Sequence, residues 1–84
     1  MILILLIDFH KAPIKYTMHA SNRLKERFLM KTDEVRHYLK TGKNIKKPKK
    51  DGEIGIIQSE IGEARIRFVY IIRSGTIYIL TIEE

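Results

Sequence analysis

The sequence predicts an α+β domain in which two short helices pack on a three- to four-stranded antiparallel sheet. Apolar residues recur at helical spacing within residues 14–42. Three segments rich in β-branched and aromatic residues follow, separated by glycines, which is the pattern of an antiparallel meander. With 84 residues, the chain has room for one modest core, so we expect a single domain over residues 1–84.

The composition indicates a globular protein. Hydrophobic residues make up 44% of the chain and charged residues 31%. The absence of cysteine excludes disulfides and thiolate metal sites and fits a reducing compartment, so we expect a cytoplasmic protein. Abundant isoleucine, lysine and glutamate resemble thermophile usage.

The segment Met1–Ile7 is wholly apolar. It is far shorter than the roughly 20 residues that span a bilayer, and its flanks lack the features of a signal peptide. Two interpretations stay open. The segment is an extra strand within residues 1–13 that is buried on both faces, or it is an exposed edge that pairs with a second chain, which would make a homodimer through Met1–Phe9.

The first predicted helix begins after Thr17, a plausible N-cap. Its apolar stripe and a polar stripe beside it both have four-residue spacing, and they consist of Ala20, Leu24 and Phe28, and of His19, Arg23 and Arg27. The polar stripe should therefore lie at the border of the core.

The second predicted helix is capped by Thr32, has Asp33 and Glu34 in its first turn, and ends at Gly42 in the C′ position. Its inner face is formed by Val35, Tyr38 and Leu39.

A basic loop over Lys43–Gly52 should lead into strands at Glu53–Ser59, Ala64–Ile72 and Thr76–Glu83. For the last hairpin, a three-residue turn at Arg73–Gly75 would place Ile72 opposite Thr76 and Arg67 opposite Thr81. We prefer it to a two-residue turn because it separates the faces cleanly. One face would hold Ile66, Phe68, Tyr70, Ile72, Tyr78, Leu80 and Ile82, and the other Arg65, Arg67, Ile79, Thr81 and Glu83.

The net charge of +6 is concentrated in one segment, where six lysines fall between positions 40 and 50. Such a cluster attracts a polyanion, although it is also typical of a solvated loop. We expect RNA as the partner. The candidate nucleic-acid-binding residues are Arg27, Lys43, Lys46, Lys47, Lys49, Lys50 and Arg65.

The candidate catalytic residues are His19, Arg23, Arg67 and Thr81. Cleavage of RNA without a metal needs a base for the 2′-hydroxyl, an acid for the leaving 5′-oxygen, and cations for the charged phosphorane. Histidine and arginine suit these roles, but a histidine near a helix start is more often structural, and surface arginines often form weak ion pairs. The three histidines show no metal-ligand spacing, so we expect no metal and no cofactor.

The segment Thr17-Met18-His19-Ala20, with Arg23 and Glu26-Arg27 after it, resembles the family called domain of unknown function 4258. Its members share a strand that leads into a "T/S-x-H-A-x-x-R-x-x-E-R" helix, a second helix that ends in glycine, and a last strand similar to Leu80-Thr81-Ile82. The resemblance covers about residues 14–83. It implies the fold of barnase-like, colicin-like and RelE-type toxins, many of which cut RNA without a metal. It also implies functional roles for His19, Arg23 and Thr81, and less firmly for Arg27.

Three functions follow as hypotheses. The first is a toxin-type, metal-independent endoribonuclease, held silent by an antitoxin that covers its basic face. The second is a nucleic-acid-binding module without catalysis, or an inactive relative of such toxins. The third is a protein–protein adaptor that dimerises through Met1–Phe9.

Overall fold

A computed structural model describes Phe9 and residues 11–84. In order along the chain, its elements are β1 (Ile14–Tyr16), α1 (Met18–Glu26), α2 (Thr32–Thr41), β2 (Lys43–Lys46), β3 (Ile54–Ile61), β4 (Ala64–Arg73) and β5 (Thr76–Glu83). The strands of these residues form one sheet in the order β1-β5-β4-β3-β2.

The α+β class is confirmed, but the sheet differs from the prediction. It has five strands and is mixed, because β1 runs parallel to β5 while the other pairs are antiparallel. The two strands that the residue pattern does not predict, β1 and β2, lie at edges. β1 has only three residues, and all four residues of β2 are exposed, so neither leaves a periodic pattern in the sequence. The predicted loop from Lys43 to Gly52 thus begins with a strand.

Both helices lie close to their predicted positions. The Thr17 hydroxyl accepts a hydrogen bond from the Ala20 amide at 3.1 Å, which confirms the N-cap of α1. For α2, the predicted cap Thr32 is wrong by one residue. The N-cap is Lys31, whose amide donates to the Glu34 carboxylate at 3.1 Å.

The core lies between the helices and one face of the sheet. The two helices contribute Ala20, Leu24, Val35 and Leu39, and the strands contribute Ile57, Ile66, Phe68, Tyr70, Ile72, Ile77, Ile79 and Ile82. Tyr38 stacks on Phe68 with ring centroids 6.5 Å apart. The helices therefore cover one face of the sheet.

The predicted register of the last hairpin is wrong. A two-residue turn at Ser74-Gly75, both with positive φ, places Arg73 opposite Thr76. An irregularity then shifts the pairing, so that Ile79 lies opposite Tyr70 but Thr81 lies opposite Val69. The predicted face therefore needs correction. Ile79 is buried in the core, whereas Tyr78 is opposite Ile71 on the other face.

The expectations for Met1–Ile7, both the buried strand and the dimer contact, fall outside the described residues. Phe9, at the end of that region, packs within its own chain. Its ring meets Tyr70 edge-on at 5.9 Å, and its carbonyl accepts a hydrogen bond from Arg36 at 3.0 Å.

Candidate nucleic-acid interface

The sheet face opposite the helices is not covered by any helix of the described residues, and we call it the open face. Strand alternation and register assign its side chains. An apolar band crosses its middle, formed by half-exposed or exposed residues: Ile54, Ile56, Val69, Ile71 and Tyr78. Ile54 is 43% exposed to solvent.

Basic residues surround this band. By the same alternation, the described strands place Lys15, Lys43, Lys46, Arg65, Arg67 and Arg73 on the open face, together with two carboxylates, those of Glu60 and Glu83. All of these side chains are exposed. Much of the net charge of +6 is thus gathered on one side of the molecule. A surface of this sign raises the local concentration of polyanions.

Several predicted site residues lie together on this face. Arg65, Arg67 and Thr81 share it, as the sequence indicated, although the register that brings them there differs. Lys43 and Lys46 join them through β2, opposite Gln58 and Ile56.

Other predicted residues lie elsewhere. Lys47, Lys49 and Lys50 are exposed in the turn between β2 and β3, where the Lys49 amide donates to Glu53 at 2.9 Å. Arg27 is exposed at the C-terminal end of α1, in the helix layer, and so is not part of the open face.

Two contacts position the arginines of the open face. Arg67 donates from Nε to the Gln58 side-chain oxygen at 3.0 Å. Arg65 lies 3.8 Å from Glu60, with both side chains largely exposed. Exposed ion pairs contribute only about 0–1 kcal/mol, so Arg65 can exchange this partner for a phosphate at little cost.

His19 and Arg23 form a pair at the border of the sheet. Arg23 donates from Nε to His19 Nε2 at 3.1 Å and from a terminal nitrogen to the Ile82 carbonyl at 3.2 Å. In this geometry, Nε2 of His19 is the acceptor of the bond. Arg23 therefore donates hydrogen bonds both to His19 and to the end of β5.

Thr17 also forms a hydrogen bond with this edge of β5. β1 pairs with β5 only as far as Tyr16 opposite Ile79. Beyond that point, the Thr17 hydroxyl donates to the Leu80 carbonyl at 2.7 Å, and Arg23 binds the Ile82 carbonyl. Residues of the motif that carries the family resemblance thus form hydrogen bonds with the part of the β5 edge that does not pair with β1.

The C-terminal half of β5 connects the two groups of candidate residues. On one side it is bonded to Thr17 and Arg23, with His19 beside them. On the other side it pairs with β4, where Arg67 lies opposite Glu83. His19, on α1, and Arg67, on β4, therefore lie on opposite sides of β5.

Sequence reasoning missed three residues of the open face: Lys15, Arg73 and Tyr78. Lys15 precedes the first helix in a strand too short to be recognised. Arg73 was assigned to the turn, and Tyr78 to the core, because the predicted register was shifted. The alternation of Arg65, Arg67 and Arg73 at odd positions of one strand was the available signal.

Within the described part of the chain, no group of three or more histidine or carboxylate side chains is placed to hold a metal ion. Neither α1 nor α2 has the length and apolarity needed to cross a bilayer.

No protein-family model matches the chain, and no curated protein or solved structure shows significant similarity to it.

Proposed function

We propose that the chain binds single-stranded RNA on its open face and cleaves it without a metal ion, as a toxin-type endoribonuclease. The observation that carries this proposal is the open face itself, where six basic side chains surround an accessible apolar band. Phosphates would bind the basic border, and bases would contact the band, with Tyr78 as its stacking aromatic residue.

The chemistry proceeds by attack of the 2′-oxygen on the adjacent phosphorus. The bond between phosphorus and the 5′-oxygen breaks, a base takes the 2′-hydroxyl proton, and an acid supplies a proton to the 5′-oxygen. In the observed pair, the lone pair of His19 Nε2 is occupied by Arg23. A phosphate that accepts the Arg23 N–H groups would release Nε2, so substrate binding itself would free the base. Arg67 would stabilise the phosphorane from across β5.

The experiment is a cleavage assay on single-stranded RNA in the presence of EDTA, with analysis of the product ends. We expect cyclic phosphate ends and a rate at least ~100-fold lower for His19→Ala, the usual size of a proton-transfer contribution. Binding of RNA should be nearly unchanged. Lys25→Gln, on the exposed side of α1, is the matched control and should cleave normally. Cleavage that persists in His19→Ala would contradict the catalytic role of His19.

A second candidate function is RNA binding without catalysis. It is favoured by the hydrogen bonds of Arg23, which give the His19–Arg23 pair a structural use at the end of β5. In that case, RNA would stay intact in the assay above, and its binding would depend on Arg67 but not on His19.

For the toxin-type function, we also propose an antitoxin protein as partner. A segment with acidic and apolar side chains would complement both the basic border and the apolar band of the open face. Its binding would compete with RNA, and competition between the two for the open face tests this arrangement.

A further inference from the structure

A groove lies where the edge strand β2 stops covering β3. β2 begins at Lys43, opposite Gln58, whereas β3 continues to Ile61. The edge of β3 beyond Gln58 is therefore not paired with β2. The space between this edge and the C-terminal end of α2 is a groove of about 660 Å³. This is within the range of small-molecule sites.

The floor of the groove is fixed by contacts between α2 and β3. The Ser59 hydroxyl donates to the Tyr38 carbonyl at 3.1 Å, and the Gly42 amide donates to the same oxygen at 2.8 Å. A Cβ at Gly42 would lie only 2.5 Å from Ile57 and 2.7 Å from Ser59, so helix and strand are in direct contact at the floor. The backbone at this floor is therefore preformed and loses little conformational entropy on binding.

The lining combines cationic, aromatic and hydrogen-bonding groups. Lys43 and Arg65 bring two positive charges to it, and Gln58 and Glu60 bring side-chain acceptors. The exposed ring of His37 meets Tyr38 edge-on, with centroids 5.3 Å apart. Among the described residues, Arg65 forms an exposed contact with Glu60, which a phosphate can replace.

We propose that this groove binds a nucleoside monophosphate. The phosphate lies between Lys43 and Arg65, since two cations on separate strands can grip one dianion from both sides. The base stacks beside His37, and Glu60 accepts a hydrogen bond from an amino group of the base. Because adenine, cytosine and guanine carry such an amino group and uracil does not, we expect the uridine nucleotide to bind more weakly.

The nucleotide has two possible sources. It is either free in solution, or it is the phosphorylated end of an RNA strand that lies on the open face. The second source rests on the proposed function, and it follows from Lys43 and Gln58, which belong to both the groove and the open face.

The test uses the full chain and two sets of ligands, with binding followed by calorimetry and by amide shifts in NMR spectra. The first set is the four free nucleoside monophosphates. The second is one oligoribonucleotide with 5′-phosphate, 3′-phosphate or hydroxyl ends. We expect at least tenfold weaker binding of the phosphorylated ligand to Arg65→Gln and to His37→Ala, and weaker binding of the uridine nucleotide to the wild-type chain. Lys25→Gln is the control.

The outcomes separate the two proposals. If free nucleotides bind in a His37-dependent way but RNA does not bind, the groove assignment stands and the proposed function fails. If RNA binds equally well with any end, and no free nucleotide shifts the amides of the groove, the groove assignment is overturned and the proposed function stands. Preference for a phosphorylated end that is lost in His37→Ala identifies the RNA end as the ligand.

Discussion

Single backbone positions decide where the two helices end. Leu29 follows α1 with φ at 48°, in the left-handed region that glycine prefers, and its side chain is 83% exposed. Gly42 follows α2 with φ at −73°, an ordinary value. At position 29, the backbone conformation favours glycine, although the residue is leucine. At position 42, the backbone conformation is ordinary, but there is no space for a side chain.

Replacing Leu29 with glycine should stabilise the protein. The left-handed conformation costs a side-chain-bearing residue about 1–2 kcal/mol, and part of this gain is offset by the larger unfolded-state entropy of glycine. Because the Leu29 side chain is exposed, its removal forfeits little burial. We expect the free energy of unfolding to rise by about 0.5–1 kcal/mol, measured by urea titration. Leu29→Ala keeps the Cβ and should show no such gain; a midpoint for Leu29→Gly below that of wild type would contradict the argument.

The end of α2 at Gly42 was predicted from the sequence, but for a different reason. The sequence pattern indicated a left-handed C′ glycine. In the structure, a Cβ at this position would lie 2.7 Å from the Tyr38 carbonyl and still closer to Ile57. Close approach between helix and strand depends on residues distant in sequence, so this cause could not be found before the structure.

The buried phenol of Tyr70 makes the free energy of unfolding depend on pH in the alkaline range. Burial raises its pKa to about 12, from an ordinary value of 10.0, because the phenolate loses hydration. The folded state therefore holds this proton more tightly than the unfolded state. The resulting stability is complete below pH 10 and declines as the pH rises toward 12.

The Tyr70→Phe variant should lose less stability between pH 9 and pH 11 than the wild type does. Both proteins share the effects of lysine deprotonation, so the difference isolates the phenol, at roughly 1–1.5 kcal/mol. Urea midpoints measured across this range provide the check. Parallel declines in the two proteins would show that Tyr70 ionises equally well when folded.

At the scale of elements, the fold is organised by how its strand edges are closed. The edge of β5 pairs first with β1 and then forms hydrogen bonds with the side chains of Thr17 and Arg23. The edge of β3 pairs with the lysine-rich β2. Lysines on an edge strand discourage pairing with other chains. The lysines of β2 thus discourage pairing at the edge of the sheet and also add positive charge to the open face.

The hydrogen bonds of Thr17 predict the stability of this junction. Thr17→Val keeps the shape of the side chain but loses both the N-cap bond and the bond to the Leu80 carbonyl. We expect a loss of about 1–3 kcal/mol, since a cap is worth about 1 kcal/mol and a part-buried carbonyl loses its partner. Thr17→Ser retains the hydroxyl and should stay within about 0.5 kcal/mol of wild type in the same thermal or urea unfolding experiment.

The elements that the sequence predicts well are those with a clear period. β3 and β4 alternate buried and exposed residues over most of their length, and α1 and α2 carry apolar residues at helical spacing. β1 and β2 lack such a signal, because an edge strand of three or four residues gains its hydrogen bonds from a neighbour far along the chain. Their positions are a product of tertiary pairing.

At the scale of the whole molecule, the sheet separates two environments. One face is packed against α1 and α2 and is almost wholly apolar, while the open face collects basic residues from β1, β2 and β4. The sequence located the basic cluster at positions 40–50 but could not show that Lys15 and Arg73 share a surface with part of it, since that depends on strand order and register.

This separation makes a quantitative prediction for RNA binding. Each cation that contacts a phosphate adds about 0.7 to the slope of log affinity against log salt for a single strand. Arg67→Gln and Lys46→Gln should therefore each lower the slope by about 0.7–1, whereas Arg27→Gln, in the helix layer, should leave it unchanged. Fluorescence anisotropy of a labelled oligoribonucleotide across a salt series measures all three. Equal slopes for Arg67→Gln and wild type, together with a lower slope for Arg27→Gln, would place the RNA on the helix side and refute the open face as its binding surface.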